Sequence, residues 1–200
     1  MTQTRVRATA TRRRAILEAG LACFTAKGIA ATTMEDIRAA SGASIGSIYH
    51  HFESKERLAA ALYLEAVREY QQGLVGEVAR HRSAERGVRA AVIYHLRWIR
   101  ERPDWARFLL HGGEPDILAQ SGDELRAMNE ATMVELRAWL ACQAEEGAIV
   151  RLAPDTVLPL LLGPAQAFGR RWLAGRASTT MEEAERIFAD AAWKSLRREL

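Results

Sequence analysis

Ser44, Ile45, Ser47, Tyr49, His51 and Lys55 fall in one short stretch of the chain and combine hydroxyl, imidazole and ammonium donors with one apolar side chain. Such donors suit phosphate oxygens and the edges of bases, and Ile45 suits a thymine methyl group. This is the chemistry of recognition rather than of bond making, and it needs short, rigid elements to present it. Thr33 is placed to cap a helix over residues 34–40 in which Met34, Ile37 and Ala40 share a face. Ser41-Gly42-Ala43 supplies a turn, with Gly42 free to adopt the positive φ of a tight corner. Ser44 is placed to cap a second short helix to His50, and Ser54 starts another with Lys55 in its first turn. A cation at that end of a helix is unfavourable alone, and a nearby phosphate would offset it. The pattern is that of a helix-turn-helix, whose second helix enters the DNA major groove while the first crosses the backbone. Phe52, between two helices, reads as a core aromatic, and for Tyr49 both core and contact readings stand.

The run Gly42-Ala43-Ser44-Ile45-Gly46-Ser47-Ile48-Tyr49-His50-His51-Phe52, followed by Ser54-Lys55-Glu56-Arg57-Leu58, closely resembles the DNA-binding domain of TetR-type transcriptional regulators. Upstream, Ala15-Ile16-Leu17-Glu18-Ala19-Gly20-Leu21-Ala22-Cys23-Phe24-Thr25-Ala26-Lys27-Gly28 resembles that family's first helix and its closing glycine. The likeness covers about the first sixty residues. It implies an all-α homodimer that binds a palindromic double-stranded DNA operator, usually represses, and lets go when a small molecule enters a second domain. The residues expected at DNA are Thr33, Ser44, Ile45, Gly46, Ser47, Tyr49, His50, His51 and Lys55.

Composition sets outer bounds. Two hundred residues with 48% hydrophobic content suit one large or two small domains. The formal charge of +3 says little, but its distribution says more: Arg5, Arg7, Arg12, Arg13 and Arg14 precede the first acidic residue, Glu18. That lead reads either as a flexible basic arm at phosphate or the minor groove, or as a solvated tail. No apolar run reaches membrane-spanning length, and the amino terminus lacks the apolar stretch of a secretory signal. Cys23 and Cys142 have no metal or disulfide spacing, so reduced thiols, a cytoplasmic setting, no membrane, no metal and no cofactor are expected. His111-Gly112-Gly113 has the residue types of an esterase oxyanion loop, yet no G-x-S-x-G elbow, P-loop or dinucleotide fingerprint accompanies it, and no enzyme is expected.

About nine helices are expected, in an all-α fold. An N-terminal helix-turn-helix domain of three helices (residues 1–60) is joined by a long helix to a C-terminal ligand-binding and dimerisation bundle (residues 61–200). The first helix spans about residues 11–26. The long one, about residues 55–80, carries Ala59, Leu62, Ala66, Tyr70, Leu74 and Val78 on one stripe. A fifth covers about residues 84–101, and Pro103 opens a sixth. Breakers mark residues 111–115 as a loop. A Ser121/Glu124 capping box starts a seventh helix, which ends at Gly147. The eighth, from Asp155 or Thr156 to about residue 174, should kink or restart near Gly163 because of Pro159 and Pro164. Thr180 and Glu183 box the start of the ninth.

Leu158, Leu161, Leu162, Ala165, Phe168, Trp172 and Leu173 make the eighth helix apolar on more than one face, which calls for cover on every side. With Ile187, Phe188 and Ala191 of the ninth, Leu158, Leu161, Leu162, Ala165 and Trp172 are the expected dimer contact. Tyr63, Tyr94, His95, Trp98, Trp105, Phe108, Met128, Met133, Trp139 and Phe168 are candidate walls of an effector pocket, with Arg97, Arg171 or His111 for a polar group. Aromatic residues at such spacing more often belong to a packed core than to a ligand wall. The richness in aromatics favours a hydrophobic effector. A helical adaptor using the helix-turn-helix for protein contact is the competing function, and it would lack the steep salt dependence of DNA binding.

Overall fold

The structure is built of α-helices. Among the described residues there are nine: α1 Gln3–Lys27, α2 Met34–Ser41, α3 Ile45–Phe52, α4 Lys55–Ala79, α5 Ala84–Glu101, α6 Pro103–His111, α7 Pro115–Glu145, α8 Val157–Leu173 and α9 Met181–Leu196. The computed structural model describes the backbone of residues 3–111, 115–153 and 155–198, and the side chains of these except 3–6, 8, 111, 115, 116 and 118. The loop expected over residues 111–115, with the His111 side chain, thus lies largely outside the described residues.

Thr33 and Thr180 form capping boxes with Asp36 and Glu183, and Ser44 caps α3 by accepting the Ser47 N–H at 3.2 Å. Gly42 closes α2 at φ 64°, a left-handed conformation, and its N–H donates to the Arg38 carbonyl. Three expectations need correction. The basic lead is not an arm: α1 already begins at Gln3, since no proline or glycine interrupts the run, and the Thr11 hydroxyl folds back on the Arg7 carbonyl at 3.0 Å. Ser121 does not cap α7. It sits two turns inside, buried, donating to the Ile117 carbonyl at 2.6 Å, while Pro115 takes the first helical position, where no N–H partner is needed. Finally, α8 runs unbroken from Val157 to Leu173, so the helix does not restart near Gly163. Pro159 falls in its first turn, and Pro164 lacks the N–H that the Leu160 carbonyl would otherwise accept, where both residues are exposed to water.

The chain divides into two compact units, Met1–Val67 with Asp104–Leu125, and Arg68–Pro103 with Arg126–Leu200. In the first, Ile16, Leu17 and Phe24 of α1 meet Ile37, Ile48, Phe52, Leu58 and Leu62. Phe108 stacks on Phe24 with ring centres 6.0 Å apart. In the second, α5 packs on α8 and α9, burying Val88, Val92 and Leu96 with Leu161, Ala165, Ala184 and Leu196. Ion pairs from Arg89 to Asp190 and from Arg100 to Glu182 cross between α5 and α9.

The α1–α2 junction has a titratable clasp. The Asp36 carboxylate accepts from Lys27 Nζ at 2.7 Å and from the Thr33 N–H and hydroxyl at 2.9 Å. Lys27 above all, then Thr33, hold its pKa down at about 2. A carboxylate whose folded pKa lies below its unfolded value stabilises the fold above the ordinary Asp range and loses that contribution as pH falls. Asp36→Asn is therefore expected to lower the melting temperature at pH 7, and its difference from the parent should close between about pH 4 and pH 2. Circular-dichroism melts across pH check this; a constant gap would mean that the carboxylate's charge is immaterial.

Candidate nucleic-acid interface

Eight residues are too few for a helix to persist alone in water. α3 is held by Ile48 and Phe52, one turn apart, both buried in the core of the first unit. Fixing that face inward turns the other outward. Ile45 and Tyr49, also one turn apart, are 41% and 48% exposed. Ser44, Gly46 and His50 are exposed beside them, and Ser47 and His51 are half-buried. Ser44 spends a lone pair on its cap and keeps its O–H for another acceptor. Thr33 differs, because its hydroxyl both accepts from the Asp36 N–H and donates to the Asp36 carboxylate. Lys55 Nζ donates to the Ala30 carbonyl at 3.2 Å, an exposed bond that a phosphate oxygen could replace.

α1 contributes charge beside this surface. The Arg13 guanidinium lies 5.3 Å from the centre of the Phe52 ring and 3.9 Å from the Glu65 carboxylate. The His50 and His51 rings are 5.5 Å apart. Burial chiefly, then the neighbouring His50, Arg13 and Arg12, lowers the His51 pKa, which identifies the two arginines as its electrostatic neighbours. Spacing in the sequence marks these arginines as basic but cannot show that the helical register of α1 brings them to the end of α3. The Arg5 side chain lies outside the described residues.

α3 meets its surroundings through a strained corner. Glu53 has φ 49° and ψ −43°, the one non-glycine residue with positive φ among those described, and the Ser54 N–H donates to the Phe52 carbonyl across it. This is a γ-turn of the less favourable hand. No sequence signal marks it, since glutamate is not a residue that favours positive φ.

The other expected site residues are dispersed. Phe108 is core, and Tyr63 and Trp105 pack against the same core of the first unit. In the second unit, Tyr94, His95 and Trp98 of α5 gather round Tyr70 of α4. Trp139 lines a cavity of about 260 Å³ with Val75, Val78 and Leu136, its indole N–H donating to the His81 carbonyl at 3.0 Å. Met128 sulfur lies 4.0 Å from Arg68, Met133 is half-buried, and exposed Arg171 donates to the Arg176 carbonyl. Phe168 packs on Phe188 at 5.3 Å, and Trp172 is half-buried. Leu161, Leu162 and Ala165 are buried within their own unit, whereas Leu158, Ile187 and Ala191 are exposed. No group of metal-binding side chains occurs among the described residues, and no helix of theirs is long and apolar enough to cross a membrane.

A seated recognition helix with an outward polar and apolar face, entered through a glycine-closed turn and flanked by basic side chains, defines a helix-turn-helix DNA-binding regulator. Residues 16–62 match the family described as bacterial regulatory proteins, tetR family. The HTH-type transcriptional repressor KstR2 of Mycolicibacterium smegmatis is 37% identical over 67 residues, 34% of this chain, which thereby spans 31% of that protein's length. The HTH-type transcriptional repressor AcnR of Corynebacterium efficiens is 29% identical over 158 residues, 75% of each chain. A TetR family transcription regulator from Marinobacter aquaeolei VT8 shares the fold with a TM-score of 0.81 at 22% identity, covering 96% of this chain and 99% of its own. These likenesses identify residues 16–62 as a TetR-type DNA-binding domain and support a TetR-family transcriptional regulator.

Phosphate contacts position a protein on DNA and base contacts specify the sequence. Tyr49→Phe and Lys55→Ala are therefore expected to weaken binding to every duplex, Lys55→Ala reducing the salt slope by about one. Ser47→Ala and Ile45→Ala should instead change preference among sites by about 1–3 kcal/mol at the base pairs concerned. Competition binding against a randomised duplex library separates the two, and uniform losses from all four substitutions would refute the division.

Proposed function

We propose that the protein is a repressor that binds a palindromic operator as a homodimer and is released by a small, largely apolar effector. The observation that carries this reading is the outward face of α3, where Ile45, Gly46, Tyr49 and His50 are exposed on a helix anchored by Ile48 and Phe52. The DNA-binding domain is assigned to residues 1–60 and effector binding and dimerisation to residues 61–200. Two-fold symmetry would set two recognition helices at half-sites one turn apart. Leu158 and Leu160 of α8 and Ile187 and Ala191 of α9 are exposed apolar positions that a second copy would cover. Effector binding in the second unit would act through α4, whose residues up to Val67 belong to the first unit and those from Arg68 to the second. An effector that favours one arrangement of that helix shifts the DNA-binding population by its differential affinity.

Fluorescence anisotropy of the full chain against DNA from the intergenic region beside its own gene, over a salt series, tests the reading. Tight binding to one palindrome that falls steeply with salt supports it. Binding that is blind to sequence and insensitive to salt sinks it in favour of an adaptor. Ile187→Glu places a charge on the apolar face of α9, where Ile187 is 46% exposed, so it should spare the fold. It is expected to convert the protein to a monomer in sedimentation velocity and to weaken binding to the full palindrome far more than to a half-site. An unchanged sedimentation coefficient would place the dimer contact elsewhere.

A further inference from the structure

His95 and Trp98 lie one turn apart on α5 and are 8% and 7% exposed. Each holds a ring nitrogen that is buried without a hydrogen-bond partner, Nε2 of His95 and Nε1 of Trp98. Both rings stand nearly edge-on to Tyr70 of α4, with centroids 5.7 and 5.2 Å from it. The Tyr70 hydroxyl lies 2.7 Å from His95 Nδ1. A phenol is the stronger acid and imidazole the stronger base, so the O–H donates to Nδ1 and the imidazole proton sits on Nε2. The indole nitrogen only donates. α5 thus presents two buried N–H donors and no acceptor for either, whereas buried polar groups are ordinarily paired.

The surroundings narrow what could accept. Burial lowers the His95 pKa to about 4, so its imidazole is neutral at physiological pH. A carboxylate brought to a neutral imidazole and an indole would be desolvated without a counter-charge from either. The rest of the group is aromatic. Tyr94 packs 5.9 Å from Tyr70, and a Cβ at Gly73 would collide with the Tyr94 hydroxyl, so α4 keeps a glycine where that ring crosses it.

We infer that His95 and Trp98 anchor the carbonyl oxygen of an uncharged, largely apolar ligand such as a ketone, ester or amide. The inference rests on the effector reading above and gives that ligand its chemistry. Tyr70 also gives it a route of action, since the imidazole that binds the carbonyl on one side is held on the other by a side chain of α4.

The test uses the full chain labelled with 15N-tryptophan, the Trp98 indole resonance being assigned by Trp98→Phe. Cyclohexanone, acetophenone, cyclohexyl phenyl ketone and benzophenone are titrated, each beside the hydrocarbon in which CH2 replaces the carbonyl. At least one ketone should move the Trp98 N–H downfield, bind roughly five- to tenfold more tightly than its hydrocarbon, and show a lowered carbonyl stretching frequency when bound. Trp98→Phe and His95→Phe should each reduce the ketone's advantage while leaving the hydrocarbon's affinity in place. If no ketone moves the Trp98 resonance, or if ketone and hydrocarbon bind alike to the parent protein, the proposal is overturned; this comparison needs no variant to fold. Anisotropy against DNA separates the two readings. A ketone that binds as described without changing DNA affinity leaves the carbonyl anchor standing and removes the effector role. Release of DNA by ketone and hydrocarbon equally keeps the effector role and overturns the anchor.

Discussion

The burial of Ile48 and Phe52 is the constraint on which the recognition surface depends. An eight-residue helix has a nucleation cost that its own hydrogen bonds do not offset. Burying those two side chains stabilises it by about 1.5–3 kcal/mol each, and the same burial fixes its rotation about its axis. Once that rotation is set, Ile45 and Tyr49 face outward as a geometric consequence of the helical repeat. α1 supplies much of the surface they bury against, through Ile16, Leu17 and Phe24, so a helix outside the helix-turn-helix decides how α3 is aimed.

Electrostatics then distinguishes the side chains committed to the fold from those left for a partner. Asp36 is bound by Lys27 and by its own capping box, and Thr33 spends its hydroxyl on the same box. Those groups lock α1 to α2. Arg13 shares Phe52 and Glu65, which places a cation beside the end of α3 without burying it. The His51 shift records the same arrangement from the other side, because a neighbouring cation and partial burial both disfavour the imidazolium. A phosphate in that position would reverse the balance.

The parts legible in the sequence are those governed by interactions within a few residues. Thr33, Ser44, Gly42 and Thr180 act as caps because each needs only a backbone group three or four positions away. Reading failed where the same local pattern has two outcomes. Ser121 and Glu124 have capping-box spacing, but an interior serine can also bond the carbonyl four residues back, and the preceding segment buries Ile117 against the core of the first unit. The prolines of α8 illustrate the same point. Pro159 falls where no N–H is required, and Pro164 falls on an exposed side where water can serve the freed carbonyl. Both depend on register and exposure, which a proline's position in the sequence does not contain.

Aromatic residues were the least legible, because burial and binding ask for the same side chains. Phe108, Trp105 and Tyr63 look no different in sequence from Tyr94, His95 and Trp98, yet the first three complete the core beneath the helix-turn-helix while the second three surround Tyr70. Tyr70 itself reads as one more apolar position on the stripe of α4, twenty-five residues from the histidine it meets. What separates the two groups physically is polar accounting. Phe108 and Phe24 stack without a polar atom between them and need nothing further. His95 and Trp98 bring donors into the interior that their own neighbours do not satisfy.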